Sequence, residues 1–314
     1  MNNNLSITYS APSKIHLLGE HSVVYGKPAI LTSVDLRIKV TISEDSKPII
    51  NDLTKKVKKV IEPIVKKYLK LKELPPYNIK INSEAPIGSG LGSSSAISAS
   101  YIAALLSYLK VKWDLELINK LAYEAEKVFH GNPSGADTAT VIYGGLIWFR
   151  KEDADLKLIQ RLSFSIPTKL SKNFILINTG TPKETTKDMV KLVSQNSKVK
   201  SQKYKKVFDD QERLVKELFP VLKEGNEKEF IRIIKEGEKN LESIGVVSKY
   251  AQDIIRQIEK IGGAAKICGG GGKTKATGIL LAYHPNRANL LKMIKSINLA
   301  YFSAKLGVEG LRRE

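Results

Sequence analysis

The sequence predicts an α+β protein of two domains, and three observations carry that prediction. The chain has 314 residues, about twice the ~150 of a typical domain. Hydrophobic residues make up 42% and charged residues 26%, the composition of a folded globular chain rather than a disordered, collagen-like or coiled-coil one. The periodicity also changes character near Pro167, from mixed strands and helices to a helix-rich half. The expected domains are therefore 1–166 and 167–314.

Taken in order, residues 5–11 and 14–18 read as strand broken at Pro12, and 29–43 as a long alternating strand rich in Ile and Val. Residues 52–71 have helical periodicity, with Asp52 as the expected N-cap and Pro63 as an expected kink. A short strand is expected at 77–82, helices at 93–109 and 114–129, and strands at 144–150, 156–164 and 174–178. Residues 183–260 read as one long helical region with interruptions near Pro220, Gly225 and Gly245. Strands at 264–267, 276–283 and 299–305 and a helix at 287–297 complete the expectation. No internal repeat or low-complexity linker is present.

The net charge is 51 − 32 = +19, carried by 42 lysines and nine arginines. That balance suits nucleic acid or small anionic substrates equally. The lysines alternate with Val, Ile, Leu and Glu at helical spacing, which describes the solvated face of amphipathic helices. Arginine, the preferred reader of bases and phosphates, is scarce, and no aromatic platform interleaves the lysine runs. The expectation is no nucleic-acid partner. The longest apolar stretch, 96–109, contains three serines and falls short of the ~20 residues a membrane span needs. The opening MNNNLSITYS lacks the regions of a signal peptide. A single cysteine, Cys268, permits no intrachain disulfide. A cytoplasmic protein without a membrane partner is expected, with a homodimer as the default assembly.

The most informative string is PIGSGLGSSSA, from Pro86 to Ala96. Gly88, Gly90 and Gly92 let the backbone turn sharply, and Ser93, Ser94 and Ser95 open a helix whose free N–H groups suit a phosphate. The G-x-G-x-G spacing is not the dinucleotide fingerprint, and no strand ending in an acidic residue follows. Gly272-Lys273-Thr274 is not a P-loop, because position 267 is isoleucine.

Three other features carry chemistry. Lys14 sits inside an apolar strand, where an ammonium needs a partner or a task. Asp137 closes the polar turn HGNPSGAD, and Glu126 lies one turn before the end of the preceding helix. A carboxylate near a phosphate loop is a natural Mg²⁺ ligand, and one beside a lysine stays ionised and can take a hydroxyl proton. The run CGGGGKT from Cys268 implies close backbone approach to a ligand or another loop. With four histidines and one cysteine, a zinc site is not expected.

Residues 11–30, 86–96 and 266–282 together resemble the three motifs of the GHMP kinase superfamily, in order and across nearly the whole chain. GEHSVVYGKPAI (from Gly19) and HGNPSGAD (from His130) are most similar to the branch that phosphorylates mevalonate for isoprenoid precursor synthesis. The resemblance implies the GHMP kinase fold: an N-terminal ribosomal S5 domain 2-like domain and a C-terminal ferredoxin-like α+β domain. ATP is expected between the two. It implies Asp137 as the base and Lys14 as its partner. It implies a phosphate loop of Pro86, Gly88, Ser89, Gly90, Leu91, Gly92, Ser93, Ser94 and Ser95. It implies Mg²⁺ on Ser94 and Glu126, and acceptor contacts from Glu20, His21, Asp137, Gly270 and Thr185. The alternatives are another kinase or a decarboxylase of the superfamily and, more remotely, a basic RNA-binding protein. The third motif departs from the family pattern by placing Lys273 and Lys275 where apolar residues or glycine are usual.

Overall fold

The computed structural model describes residues 6–44 and 51–314. Leu5, at the expected start of the first strand, lies outside them. The first half builds a sheet from β1 (Ser6–Leu18), β2 (Ala29–Ser43), β3 (Asn78–Ser83), β4 (Leu146–Lys151) and β5 (Lys157–Arg161). The order is β10-β1-β2-β4-β5, with β3 also on β2, and every named pairing is antiparallel. The sixth strand, β10 (Arg312–Arg313), comes from the end of the chain and pairs with β1. Pro12 does not break β1. The register with β2 shifts between Pro12 and Ser13 instead, so the strand absorbs the missing N–H in a bulge.

Four helices cover one face of this sheet: α1 (Asp52–Leu69), α2 (Ser93–Tyr108), α3 (Leu115–His130) and α4 (Ala136–Tyr143). Asn51, not Asp52, caps α1: its side chain accepts from Thr54 N, and Thr54 Oγ1 accepts from Asn51 N. Asp114 caps α3. Helix α2 is apolar nearly all round and is buried along most of its length, as a central helix must be. It packs Ala96, Ala99, Ile102 and Ala103 into a core with Ile38, Val40 and Ile42 of β2 and Val57 and Ile61 of α1.

The second half places α5 (Thr168–Ser171), β6 (Phe174–Asn178), α6 (Thr186–Val199), α7 (Ser201–Glu224), α8 (Glu227–Ser243) and α9 (Lys249–Lys260) in order. β7 (Ala264–Ile267), β8 (Ile279–Tyr283), α10 (Arg287–Ser296) and β9 (Tyr301–Phe302) follow. Its sheet has the order β7-β8-β6-β9, again antiparallel. The expected helical region is four helices. Pro220 lies inside α7 without ending it, and the first break falls at Lys200 rather than at a glycine or proline. The expected strand at 276–283 begins only at Ile279, because the chain stays bent to pass Ser89. A Cβ on Gly278 (φ +84°) would lie 2.3 Å from Ser89 O. Strand 299–305 shrinks to Tyr301–Phe302.

Residues of β6 alternate between two cores, which explains their unbroken apolar run. Phe174 and Leu176 join Ile15, Leu17 and Leu18 of β1 and Leu214, Leu218 and Phe230 of α7 and α8. Ile175 and Ile177 join Met189, Ile254, Ile258 and Leu290. The two halves thus share one continuous apolar layer behind the first sheet.

Candidate active site

Lys14 and His16 are two residues apart on β1, so a strand's alternation turns both to the same side, while Ile15 and Leu17 go to the core. Between them sits Asp137, in the first turn of α4. Lys14 Nζ is 3.1 Å from Asp137 Oδ2, and His16 Nε2 is 3.1 Å from Oδ1. Lys14 is 2% exposed, while the Asp137 side chain is 35% exposed, its open edge facing a cavity rather than bulk solvent. Burial alone would push the Asp137 carboxyl up. The Lys14 ammonium and the His16 hydrogen bond outweigh it and hold the group well below the ordinary carboxylate range. Burial, then the Lys14 charge, lowers His16. A neutral His16 donates Nε2–H to Asp137, and its Nδ1 is buried without a hydrogen-bond partner among the described residues.

The cavity, about 300 Å³, is bounded by Lys14, His16 and Asp137, by the glycine loop ahead of α2, and by Glu20, His21 and Gly270. In that loop Gly88, Gly90 and Gly92 all have positive φ (78°, 87° and 75°), and the intervening Ser89 and Leu91 do not. Such alternation turns successive N–H groups toward one side, and α2 begins at Ser93 with no side-chain cap on its free N–H groups. Such a loop suits an anion. Lys14 fastens to it twice: its N–H donates to Leu91 O (2.9 Å) and its ammonium to Gly90 O (3.2 Å). Ile279 N donates to Ser89 O (2.9 Å), so the third glycine motif holds the loop from behind.

Gly88, Gly90, Gly92, Ser93, Ser94, Glu20, His21, Glu126, Asp137 and Gly270 all line the cavity. Pro86, Ser89, Leu91, Ser95 and Thr185 do not. Ser89 Oγ turns back to Pro86 O (2.7 Å), Leu91 is core, and Ser95 is buried. Thr185 caps α6, accepting from Asp188 N, and is exposed; the neighbouring Thr186 reaches the cavity instead. A hydroxyl satisfied by the start of its own helix is not free for a ligand.

Glu126 is 3% exposed, and its Oε1 is buried without a hydrogen-bond partner among the described residues. Burial, and next the charge of Asp137, pushes its carboxyl up to about 8. Ser94 Oγ and Glu126 Oε2 both face His130 Nε2, at 3.0 and 3.4 Å. A buried carboxyl with an unsatisfied oxygen beside a hydroxyl, next to the glycine loop, is a donor set that fits a hard divalent cation once its proton is displaced.

Sequence reasoning missed His16 and Lys266. His16 was legible as the residue two beyond Lys14. Lys266 sits in AAKI and is fully buried, the same anomaly that singled out Lys14. Its ammonium pairs with the Glu20 carboxylate and also donates to His16 O (3.2 Å). Removing one partner of such a pair typically costs ~3–5 kcal/mol, because the other charge is left buried alone. His21 donates Nε2–H to Gly270 O (3.1 Å), and burial lowers its pKa to about 4, so it is neutral. Cys268 is buried, which pushes its thiol up to about 12 and leaves it unreactive. The arginines of α7 and α8 are engaged with carboxylates: Arg213 with Asp210 and Glu217, Arg232 with Glu217, Glu229 and Glu236. No described helix is long and apolar enough to cross a membrane.

A loop that suits an anion, a donor set that fits a cation and an ionised carboxylate on one cavity are the parts a phosphotransferase site needs. Residues 55–145 match the family model described as GHMP kinases N terminal domain. The chain is 32% identical to the mevalonate kinase of Archaeoglobus fulgidus over 269 residues, covering 84% of this chain and 88% of that one. Among solved structures it is similar to L. major mevalonate kinase in complex with R-mevalonate (TM-score 0.78, 20% identity, 96% of each chain). It is also similar to Streptococcus pneumoniae phosphomevalonate kinase in complex with phosphomevalonate and AMPPNP (TM-score 0.76, 15% identity, 95% and 99% of the chains). The fold alone therefore does not separate the acceptors; the sequence relatives do. The chain belongs to the mevalonate kinase family of the GHMP kinases.

Proposed function

We propose that the protein transfers the γ-phosphoryl group of ATP to the 5-hydroxyl of (R)-mevalonate, with Asp137 as the base and Lys14 as its partner. The observation that carries this reading is Asp137, held ionised between Lys14 and His16 and open to a cavity that also contains the glycine cradle. Family membership supplies the acceptor.

Phosphoryl transfer passes through a loose transition state, so positioning and charge neutralisation supply most of the catalysis. The N–H groups of the 88–95 segment hold the phosphates. Leu53, Val57, Ile97 and Phe129 form an apolar end of the cavity suited to the faces of a base. Ser94 and Glu126 would hold a Mg²⁺ ion, which would supply neutralisation of phosphate charge. Asp137 keeps lone pairs free beyond those used by Lys14 and His16, and one accepts the acceptor's O–H. An ordinary aspartate (about 3.9) cannot deprotonate an alcohol (about 16) outright, so the proton moves late, as the new P–O bond forms. Lys14 keeps Asp137 ionised and lowers the pKa of the acceptor hydroxyl by its positive charge. His16 orients the carboxylate. Glu20 and His21, which line the same cavity, face the rest of the acceptor.

The same reading divides the chain near Pro167, with ATP between the halves, and places the protein in the cytoplasm, as a homodimer by default. The single cysteine, buried and free, suits a reducing compartment.

The test is ADP release with Mg²⁺-ATP and each of (R)-mevalonate, 5-phosphomevalonate, galactose and homoserine. Turnover with mevalonate alone is expected, and Asp137→Asn should lower kcat at least ~100-fold. Turnover with a different alcohol overturns the acceptor. A variant within tenfold of wild type overturns the base.

A further inference from the structure

Residues 19–27 leave the first sheet between β1 and β2 and form the wall of the cavity that carries Glu20, His21, Val23 and Val24. Their outer side is held by α7. Lys27 Nζ donates to Asp209 Oδ1 (2.6 Å) and Glu212 Oε2 (2.8 Å). The Tyr25 ring stacks on Phe208, with centroids 4.5 Å apart and planes at 23°. Phe208, Asp209 and Glu212 lie within about one and a half turns of the same helix. Neither Tyr25 nor Lys27 lines the cavity. α7 also packs on α6, whose Thr186 and Val190 line that cavity. One helix therefore supports two walls of the acceptor end.

We propose that Lys27 and Tyr25 are positioning residues for the acceptor, clasping α7 so that residues 19–24 keep the pose in which Glu20 and His21 meet it. The inference rests on the reading that Glu20 and His21 face the acceptor. A single exposed ion pair is weak. Here one ammonium meets two carboxylates and an aromatic stack lies beside it, on a segment whose other ties, Lys266 to Glu20 and His21 to Gly270, also reach into the second half. Asp209 and Glu212 retain Lys205 and Lys216 as partners when Lys27 is removed, so neither is left unpaired. The fold survives the substitution, and the effect falls on the loop.

The experiment is steady-state kinetics on the full chain, varying (R)-mevalonate and Mg²⁺-ATP separately. Lys27→Met should raise the KM for mevalonate roughly threefold, and Tyr25→Ala with Lys27→Met about tenfold. The KM for ATP and kcat should stay within about twofold. Asp209→Asn with Glu212→Gln should raise the mevalonate KM as Lys27→Met does and, combined with it, raise it no further, since the Lys205 and Lys216 pairs also lost lie within α7 and do not touch residues 19–27. At high salt the difference between wild type and Lys27→Met should shrink. An unchanged mevalonate KM in Lys27→Met, or equal rises for both substrates, overturns the proposal. His21→Ala separates the two readings. An unchanged mevalonate KM there sinks the acceptor placement itself, whereas a raised one with Lys27→Met unaltered sinks the clasp alone.

Discussion

Gly92 and Lys14 lie against each other so closely that a Cβ on Gly92 would come within 2.8 Å of Lys14 Cγ and 2.9 Å of Cε. The glycine loop and the ammonium that holds Asp137 are therefore one packed unit. Gly92 also has φ +75°, where a side chain is strained. Gly92→Ala should push Lys14 off Asp137 and lower kcat by at least ~10-fold, with a smaller effect on the KM for mevalonate. Kinetics within twofold of wild type would show that the lysine stem can yield.

His21 should make the protein less stable in acid, a slope that Glu126 and Glu238 oppose, because burial raises their carboxyls and the folded chain then binds more protons. The folded-state pKa of His21 is about 4, against an ordinary 6.5, so between those values the unfolded chain binds more protons at this residue. Its contribution is complete above pH 6.5 and is lost as pH falls toward 4, on the order of 3 kcal/mol in total. His16 and His130, also lowered by burial, act with the same sign. Asp137, held low in the fold, stays ionised throughout this window and loses its contribution only at still lower pH. Denaturant unfolding at pH 7 and pH 4 should give a smaller difference for His21→Gln than for wild type. An equal difference would place the proton elsewhere.

Glu126→Gln should raise the Mg²⁺ concentration for half-maximal rate at least ~10-fold, because a neutral amide is a much poorer ligand for a hard cation. Mn²⁺ binding in the presence of ADP, followed by electron paramagnetic resonance, gives a readout independent of turnover. Unaltered affinity in both assays would remove Glu126 from the cation site.

Lys273 and Lys275, the departures in the third glycine motif, are exposed and do not line the cavity. The tripeptide they flank is held outward: Glu184 accepts from Lys273 N and from the Thr274 hydroxyl, and Ser248 Oγ donates to Lys275 O. Replacing both lysines by alanine should leave kcat and both KM values within about twofold. A tenfold loss would mean that one of them reaches the nucleotide.

Local sequence determined most of the elements. The alternation in 29–43 and the apolar run in 174–178 match β2 and β6, because a strand's period of two, or burial on both faces, is written directly into residue order. The spacing of Gly88, Gly90 and Gly92 specified the loop ahead of α2, since the positive φ values are needed whatever packs around them. Lys14 stood out because a charge in an apolar strand needs a partner.

Which partner it has, only the tertiary structure decided. Lys14 and Asp137 are 123 positions apart, and Lys266 reaches Glu20 across 246. Those meetings depend on how β1, α4 and β7 are stacked, which no local period encodes. Tertiary packing also shortened 276–283 to clear Ser89, whereas the helix ends at Gly225 and near Gly245 and the Thr185–Asp188 capping box are local. The reason is the same in each case. Propensity and patterning act over one or two turns and are worth tenths of a kcal/mol per residue, whereas a buried charge or a steric overlap costs several and so prevails.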